Sequence, residues 1–424
     1  VPAGKDAGGA YDDRTRRTEI LQTAASLIAS SGLRTSLQEI ADAAGILPGS
    51  LYHHFESKEA ILVELVRRYH ADLERIGEIA HDRLDDPGSR PISDKIVELG
   101  SAIARCAVQH RAALQMSFYE APSANRELVA LLRQPPTAVQ EAMLQTLRAG
   151  RWSGYIRADI DLPTLADRIC QSMMHVGLDI IRHTAVADQA AALLCRIMLQ
   201  GLASRPPGDE ELNRSKAFAV AEQAIETWAE ESKSEADDKA AYVRAVARAE
   251  FGRKGYEVTT IRDIASAAGL GTGTVYRLIG SKDELLASIM KSFGHKAGGG
   301  FASVLRADAT PVEKLDALTW ININALDRFP DEWKIQLAWM RQSPPDTPNP
   351  GLLFTMRLRQ LKSLLSEGMR SGDIRIDSPS LEMLSRCVMD VLWMPENIVR
   401  TQGKQTALTL ARDTVVRGVA ERTG

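Results

Sequence analysis

Residues 35–59 read TSLQEIADAAGILPGSLYHHFESKE, and residues 259–285 read TTIRDIASAAGLGTGTVYRLIGSKDEL. The second stretch repeats the first at an offset of 224 residues. Ser50-Leu51-Tyr52 falls on Thr274-Val275-Tyr276, and Ser57-Lys58-Glu59 on Ser281-Lys282-Asp283. Upstream, AASLIASSG (24–32) aligns with ARAEFGRKG (247–255), with one residue inserted before Thr259. Downstream, SGYIRAD (153–159) aligns with SGDIRID (371–377) at offset 218. Similarity spread that widely marks two whole units of about 200 residues, not one short motif used twice.

Each copy carries the same helix punctuation. Arg16 to Ser31 and Lys239 to Lys254 read as opening helices, with Gly32 and Gly255 at the left-handed position past their ends. Ser36 with Glu39, and Thr260 with Asp263, fit capping boxes that start a second helix. Ile40, Ala41 and Ala44 give that helix an apolar face, as do Ile264, Ala265 and Ala268. Gly45 and Gly269 close it, Pro48 suits the first position of a third helix, and Ser57 and Ser281 cap a fourth. Two short helices joined by a Gly-containing turn make the helix-turn-helix arrangement.

The bulk properties set the frame. A chain of 424 residues exceeds what one core organises, so two or more domains are expected. Apolar residues recur at helical period and almost no stretch alternates like a strand, which predicts an all-α fold. Cys106, Cys170, Cys195 and Cys387 form no Cys-x-x-Cys pair and lie in apolar helical patterns. They read as small buried hydrophobes in a reducing cytoplasm. No apolar run reaches 18 residues, so no membrane span is expected. The opening VPAGKDAGGAYDD lacks the apolar core of a signal peptide and reads as a short unstructured arm.

The adjacent His53 and His54 raise the question of metal or proton chemistry. On a helix they point about 100° apart, with no Cys, Asp or His at ligand spacing, and the second copy has Arg277 and Leu278 there. No metal, cofactor or catalytic set is expected. Tyr, His, Arg and Lys share instead the ability to donate a hydrogen bond to phosphate. Net charge is −3, yet residues 239–296 hold ten Lys/Arg against five Asp/Glu, and residues 14–70 hold seven against six. Positive charge is therefore concentrated around the motifs.

The full string resembles the N-terminal DNA-binding region of the TetR family of bacterial transcriptional regulators, and the second copy resembles the same signature. The resemblance covers nearly the whole chain as two members in tandem. It implies that Pro48, Gly49, Ser50 and His53, and Thr272, Gly273, Thr274 and Arg277, enter the major groove. Tyr52, Tyr276, His54, Lys58 and Lys282 would hold phosphates. Thr35, Ser36, Thr259 and Thr260 would do so at the start of the second helix. The Arg14–Arg17 run would add phosphate or minor-groove contacts, or be a solvated charge run. The second copy departs from the pattern, with Leu278 and Ile279 where the first has His54 and Phe55.

The implied organisation is a DNA-binding domain at 14–57, a helical regulatory and dimerisation domain at 58–204, a linker at 205–238, and a second pair at 239–281 and 282–424. The linker contains an amphipathic charged stretch at 209–231, about 35 Å long as one helix. Three glycines at 298–300 predict a break in the long helix beginning at Lys282. Residues 161–203 and 378–422 would be the interface helices. Met116, Phe118, Tyr119, Trp152, His175, Trp320, Trp333, Trp339, Met340 and Trp393 are candidates to line a pocket for a small, largely apolar effector. The expected protein is a cytoplasmic ligand-responsive repressor bound to double-stranded operator DNA. Its two units would pair within one chain on a non-palindromic site, or two fused chains would form a homodimer with four motifs. An architectural module without sequence preference, or an enzyme with relic motifs, are the other classes.

Overall fold

The computed structural model describes residues 6–84, 90–116, 125–176, 187–234, 238–341 and 351–422. Phe118 and Tyr119 lie outside these residues, and the side chains of Trp339 and Met340 are likewise outside the description. The fold is all-α. In the first unit the helices are α1 (Asp6–Ser31), α2 (Leu37–Ala43), α3 (Pro48–His54), α4 (Lys58–Leu84), α5 (Ile92–Gln109), α6 (Arg111–Met116), α7 (Arg126–Arg133), α8 (Thr137–Trp152), α9 (Leu162–His175) and α10 (Ala187–Gln200). Next come α11 (Asp209–Asn213) and α12 (Lys216–Ser234). The second unit follows with α13 (Lys239–Lys254), α14 (Ile261–Ala268), α15 (Thr272–Ile279), α16 (Lys282–Arg306), α17 (Pro311–Arg328), α18 (Pro330–Arg341), α19 (Gly351–Ser371), α20 (Leu381–Val391), α21 (Glu396–Gln402) and α22 (Lys404–Ala411). A π-helical turn, Arg412–Arg417, continues from α22.

The helix patterns decide the packing. Ile61, Leu62, Leu65, Val66, Tyr69 and Leu73 place one buried stripe along α4, which packs on α5 and α8. Gly77 lets α4 cross α8 closely, because a Cβ there would come 2.8 Å from the Ala138 carbonyl oxygen. Burial holds the Cys106 and Cys195 thiols up at about 12 and raises Cys170 and Cys387 as well, so none is a ready nucleophile.

Three expectations are corrected. Residues 6–13, read as an unstructured arm, are the first turns of α1. The linker helix is not one rod: the chain breaks at Arg214–Ser215, and α12 packs with buried Phe218, Ala221 and Trp228 against α16 and α17. The glycine run does not break α16, which continues unbroken to Arg306. A Cβ on Gly300 would meet Ile321 Cδ1 at 3.0 Å and Ala224 Cβ at 3.4 Å. Close packing of three helices there outweighs a helix propensity cost of about 1 kcal/mol per glycine.

The two units meet through backbone contacts that repeat when the units are exchanged. The Leu202 and Ala203 amides donate to the Val415 and Val416 carbonyls at 2.8 and 3.0 Å. Their counterparts Val419 and Ala420 donate to Met198 and Leu199 at 3.2 and 2.8 Å. Arg157 N–H donates to Val419 O and Arg375 N–H to Leu202 O, both at 3.0 Å. Ser204 N–H donates to Asp373 O and Glu421 N–H to Tyr155 O, both at 2.8 Å. The isolated bridges Ile156 to Ala420 and Ala203 to Ile374 form a further reciprocal pair. At the centre Gly201 and Gly418, with φ of 72° and 79°, lie backbone against backbone. Around them α10 packs on α20 and on the Arg412–Arg417 turn. The Arg168 guanidinium of α9 crosses the interface to donate to Val391 O at 2.8 Å, and full burial pushes its pKa down to about 9.

Candidate nucleic-acid interface

In each unit one short helix is held by its neighbour and turned outward. α2 starts with a complete capping box: the Ser36 hydroxyl accepts from Glu39 N–H at 3.2 Å, and Glu39 Oε2 accepts from Ser36 N–H at 2.6 Å. α14 repeats this with Thr260 and Asp263, at 3.1 and 2.8 Å. The backbone amide of Ser36 pulls the Glu39 carboxyl below its ordinary value, and the Thr260 hydroxyl leads the same effect on Asp263. Gly45 and Gly269 then take φ of 65° and 66°, a left-handed turn with open space around the α-carbon. The conformation, and not lack of room, requires glycine there.

α3 is anchored by buried Leu51 and by Phe55 just past its end. The Arg17 guanidinium lies 4.4 Å from the Phe55 ring centre and pairs with Glu64 at 3.1 Å. That fixes one face of α3 and leaves Gly49, Ser50, Tyr52 and His53 exposed, with Pro48 and His54 half-buried. In α15, Val275 is the buried anchor; Thr272, Gly273, Tyr276 and Arg277 are exposed, and Thr274 is half-buried. Tyr52 and Tyr276 are 55% and 54% exposed, an equivalence that matches their positions in the repeat. Leu278 and Ile279 are half-buried and replace the His54–Phe55 pair as packing.

Other expected positions are engaged differently. Thr35 and Thr259 are buried, and their hydroxyls donate to Gly32 O at 2.9 Å and Gly255 O at 2.7 Å. Those hydroxyls secure the loop into the second helix and do not face outward. Lys58 donates to the Leu33 carbonyl, and Lys282 to Glu257 O at 3.2 Å while lying 4.3 Å from the Tyr256 ring centre. Both lysines tie the start of the fourth helix to that same loop. Arg16 donates to Ala44 O at 3.2 Å, so Arg16 and the Glu64-paired Arg17 of α1 brace the motif from behind.

One exposed residue was not singled out from the sequence. Leu47, the N-cap of α3, is 76% exposed beside Gly49 and Ser50, and its counterpart in the repeat is Gly271. The spacing of four between Leu47 and buried Leu51 reads as core, and the available signal was the glycine at the matching position of the repeat.

Among the described pocket candidates, Trp333 and Trp393 meet and the others lie apart from them. Trp152 is 92% exposed and is corrected from pocket to surface. Trp320 stacks on Phe218 of α12 at 5.8 Å and its indole donates to Glu222 at 2.8 Å. Trp333 packs against Phe293 and Trp393 at 5.8 and 3.6 Å between ring centres. Met116 is buried and His175 half-buried. A cleft of about 520 Å³ opens elsewhere, between α4 and α5.

Two outward-turned helix-turn-helix motifs on helical bundles define a DNA-binding regulator. The family model for bacterial regulatory proteins of the tetR family matches residues 20–65 and 243–289. The HTH-type transcriptional repressor KstR2 of Rhodococcus jostii (strain RHA1) is 38% identical over 193 residues, spanning 45% of this chain and 92% of the relative. The HTH-type transcriptional regulator UidR of Escherichia coli (strain K12) is 27% identical over 187 residues, spanning 44% of this chain and 92% of the relative. The solved ketosteroid transcriptional regulator KstR2 of Mycobacterium tuberculosis is 26% identical, with 43% of this chain and 92% of that chain covered and a TM-score of 0.36. The chain belongs to the tetR family of bacterial regulatory proteins, with two units in tandem.

Proposed function

We propose that this regulator is a ligand-responsive repressor whose two units form an internal pseudo-dimer on a non-palindromic operator in the bacterial cytoplasm. The reciprocal backbone contacts between units carry the reading. In a two-fold dimer residue i meets j of the partner and j meets i. The bonds Leu202 to Val415 and Val419 to Met198 obey that rule within one chain, so the surface a second chain would use is occupied. The motifs, 14–57 and 239–281, then read two half-sites, with helical regions 58–204 and 282–424 behind them and 205–238 joining the units. Dimeric helix-turn-helix proteins span half-sites about one DNA turn apart, roughly 34–36 Å.

Gly49, Ser50 and His53 face base edges on one half-site, and Thr272, Gly273, Thr274 and Arg277 on the other. Tyr52 and Tyr276 hold phosphates. Leu47 adds an apolar contact suited to a thymine methyl, which Gly271 cannot make. Thr35 and Thr259 leave the contact set, since their hydroxyls are engaged internally. A small effector releases DNA by binding more tightly to the state with the wrong motif spacing. Selection of bound sequences from random DNA, followed by footprinting, tests this: two unlike half-sites one turn apart are expected, and a strict palindrome rejects the proposal.

A further inference from the structure

The duplicated units are not equivalent behind their motifs. In the second unit α12 lies in the groove between α16 and α17. Ala224 and Trp228 of α12 come within 3.4 and 3.5 Å of where a Gly300 Cβ would be, and the Trp228 indole donates to Lys296 O at 3.2 Å. The repeat maps this groove onto the first unit. α16 follows α4 at offset 224, which places Gly300 on Ile76 and Lys296 on Asp72. α17 and α5 are both 18 residues long and start 219 apart, which places Ile321, the α17 residue against Gly300, on Ala102. Asp72, Ile76, Leu99, Ala102 and Cys106 all line the 520 Å³ cleft between α4 and α5. What α12 fills in one unit is open in the other.

The cleft has the makings of a ligand site. Its volume falls within the range of about 300–1,000 Å³ common for small-molecule pockets. Its floor is apolar, from Ile76, Ala80, Leu84, Leu99 and Ala102. Its rim carries Arg75, Arg83, Lys95 and Arg105 against Asp72, Glu98 and the Asp188 that pairs with Arg105 at 2.8 Å, a net positive rim. We propose that this cleft is the chain's effector site, that it takes an apolar molecule with an anionic end, and that the second unit has no working counterpart because α12 closes it. The effector role rests on the repressor reading above. α4 runs from the cleft to Lys58, which is bonded to the loop before α2. A molecule wedged between α4 and α5 therefore pushes a lever attached to the first motif. α16, clasped by α12, stays in place, so the switch moves one recognition helix and not both.

Laurate, a twelve-carbon carboxylate, is the probe, with dodecanol as its neutral analogue and the full chain as the protein. Calorimetry should give one laurate per chain. Ala102→Trp, which fills the cleft as α12 fills the second groove, should weaken laurate at least tenfold. Arg75 and Arg105 are 68% and 55% exposed and form surface ion pairs with Asp72 and Asp188 that contribute little to stability, so the R75Q/R105Q variant leaves the fold alone. It should weaken laurate tenfold and leave dodecanol unchanged. Two laurates per chain, no saturable laurate binding, or an A102W variant that binds like wild type each overturn the site. A mobility shift separates the two readings. If laurate binds one-to-one and A102W abolishes it while wild-type DNA affinity stays constant, the site stands and its regulatory use is overturned. If laurate lowers wild-type DNA affinity tenfold but leaves A102W bound, both are supported.

Discussion

Replacing Gly201 with alanine probes the join between the units. An alanine Cβ at this position would stand 2.4 Å from the Arg417 carbonyl carbon and the Gly418 nitrogen, and 2.5 Å from Val416 O. Ordinary contact between carbon atoms is about 3.5–4.0 Å, so the two backbones must part by roughly 1 Å. The φ of 72° adds about 1 kcal/mol for a residue with a side chain. Four backbone bonds flank the contact: Leu202 to Val415, Ala203 to Val416, Val419 to Met198 and Ala420 to Leu199. Each is worth about 1 kcal/mol net, so losing all four sets an upper figure near 5 kcal/mol with the φ term. Urea unfolding of Gly201→Ala should show a loss of at least about 3 kcal/mol, with the motifs' helicity retained in the first transition. Gly418→Ala should match it, since its Cβ would stand 2.3 Å from the Gln200 carbonyl carbon. Gly154→Ala, with φ of 76° and nothing within 4 Å, should cost only the φ term. If Gly201→Ala costs no more than Gly154→Ala, the glycine contact does not hold the units together.

Other outcomes follow from the motifs. Leu47→Gly should abolish a thymine preference at one position of one half-site, worth about 1 kcal/mol or roughly fivefold, and Gly271→Leu should add one to the other; unchanged selected sequences would remove Leu47 from the readout. Tyr52→Phe and Tyr276→Phe keep the ring and lose the hydroxyl, so each should weaken binding to all sequences alike and flatten the salt dependence by about one phosphate contact; altered base preference with an unchanged slope would refute the phosphate role. Glu39, Asp263 and Glu284 are held below their ordinary values by capping contacts to Ser36, Thr260 and Ser281. Their support is present above those ordinary values of 4.5 and 3.8 and is lost as pH falls through the lower folded values. The Ser36, Thr260 and Ser281 amide resonances should therefore shift together on acidification below about pH 4, and constant shifts would contradict the capping role.

What could be read from the sequence was what is local. Capping boxes, left-handed glycines and the proline opening α3 depend on a few neighbouring residues, and the internal repeat exposed them twice. What escaped depends on distant partners. The glycine run in α16 looks like a helix breaker until Ala224, Trp228 and Ile321 are packed over it. Thr35 and Thr259 stand where a helix start suggests an anion contact, but their hydroxyls turn inward to carbonyls three and four residues back. Trp320 reads as pocket lining, and it is covered by Phe218 from the joining segment. The indole of Trp152 is apolar enough for a core, yet it stands at the surface end of α8. The exposure of Leu47 escaped because it stands in register with buried Leu51 and Phe55 yet lies before the first turn of α3.

The mass of the complex tests the central claim most directly. Light scattering on the chain bound to its selected operator should give one protein chain per duplex, with both motifs protected in a footprint of two unlike half-sites. Two chains per duplex on a palindromic site would contradict the internal pseudo-dimer.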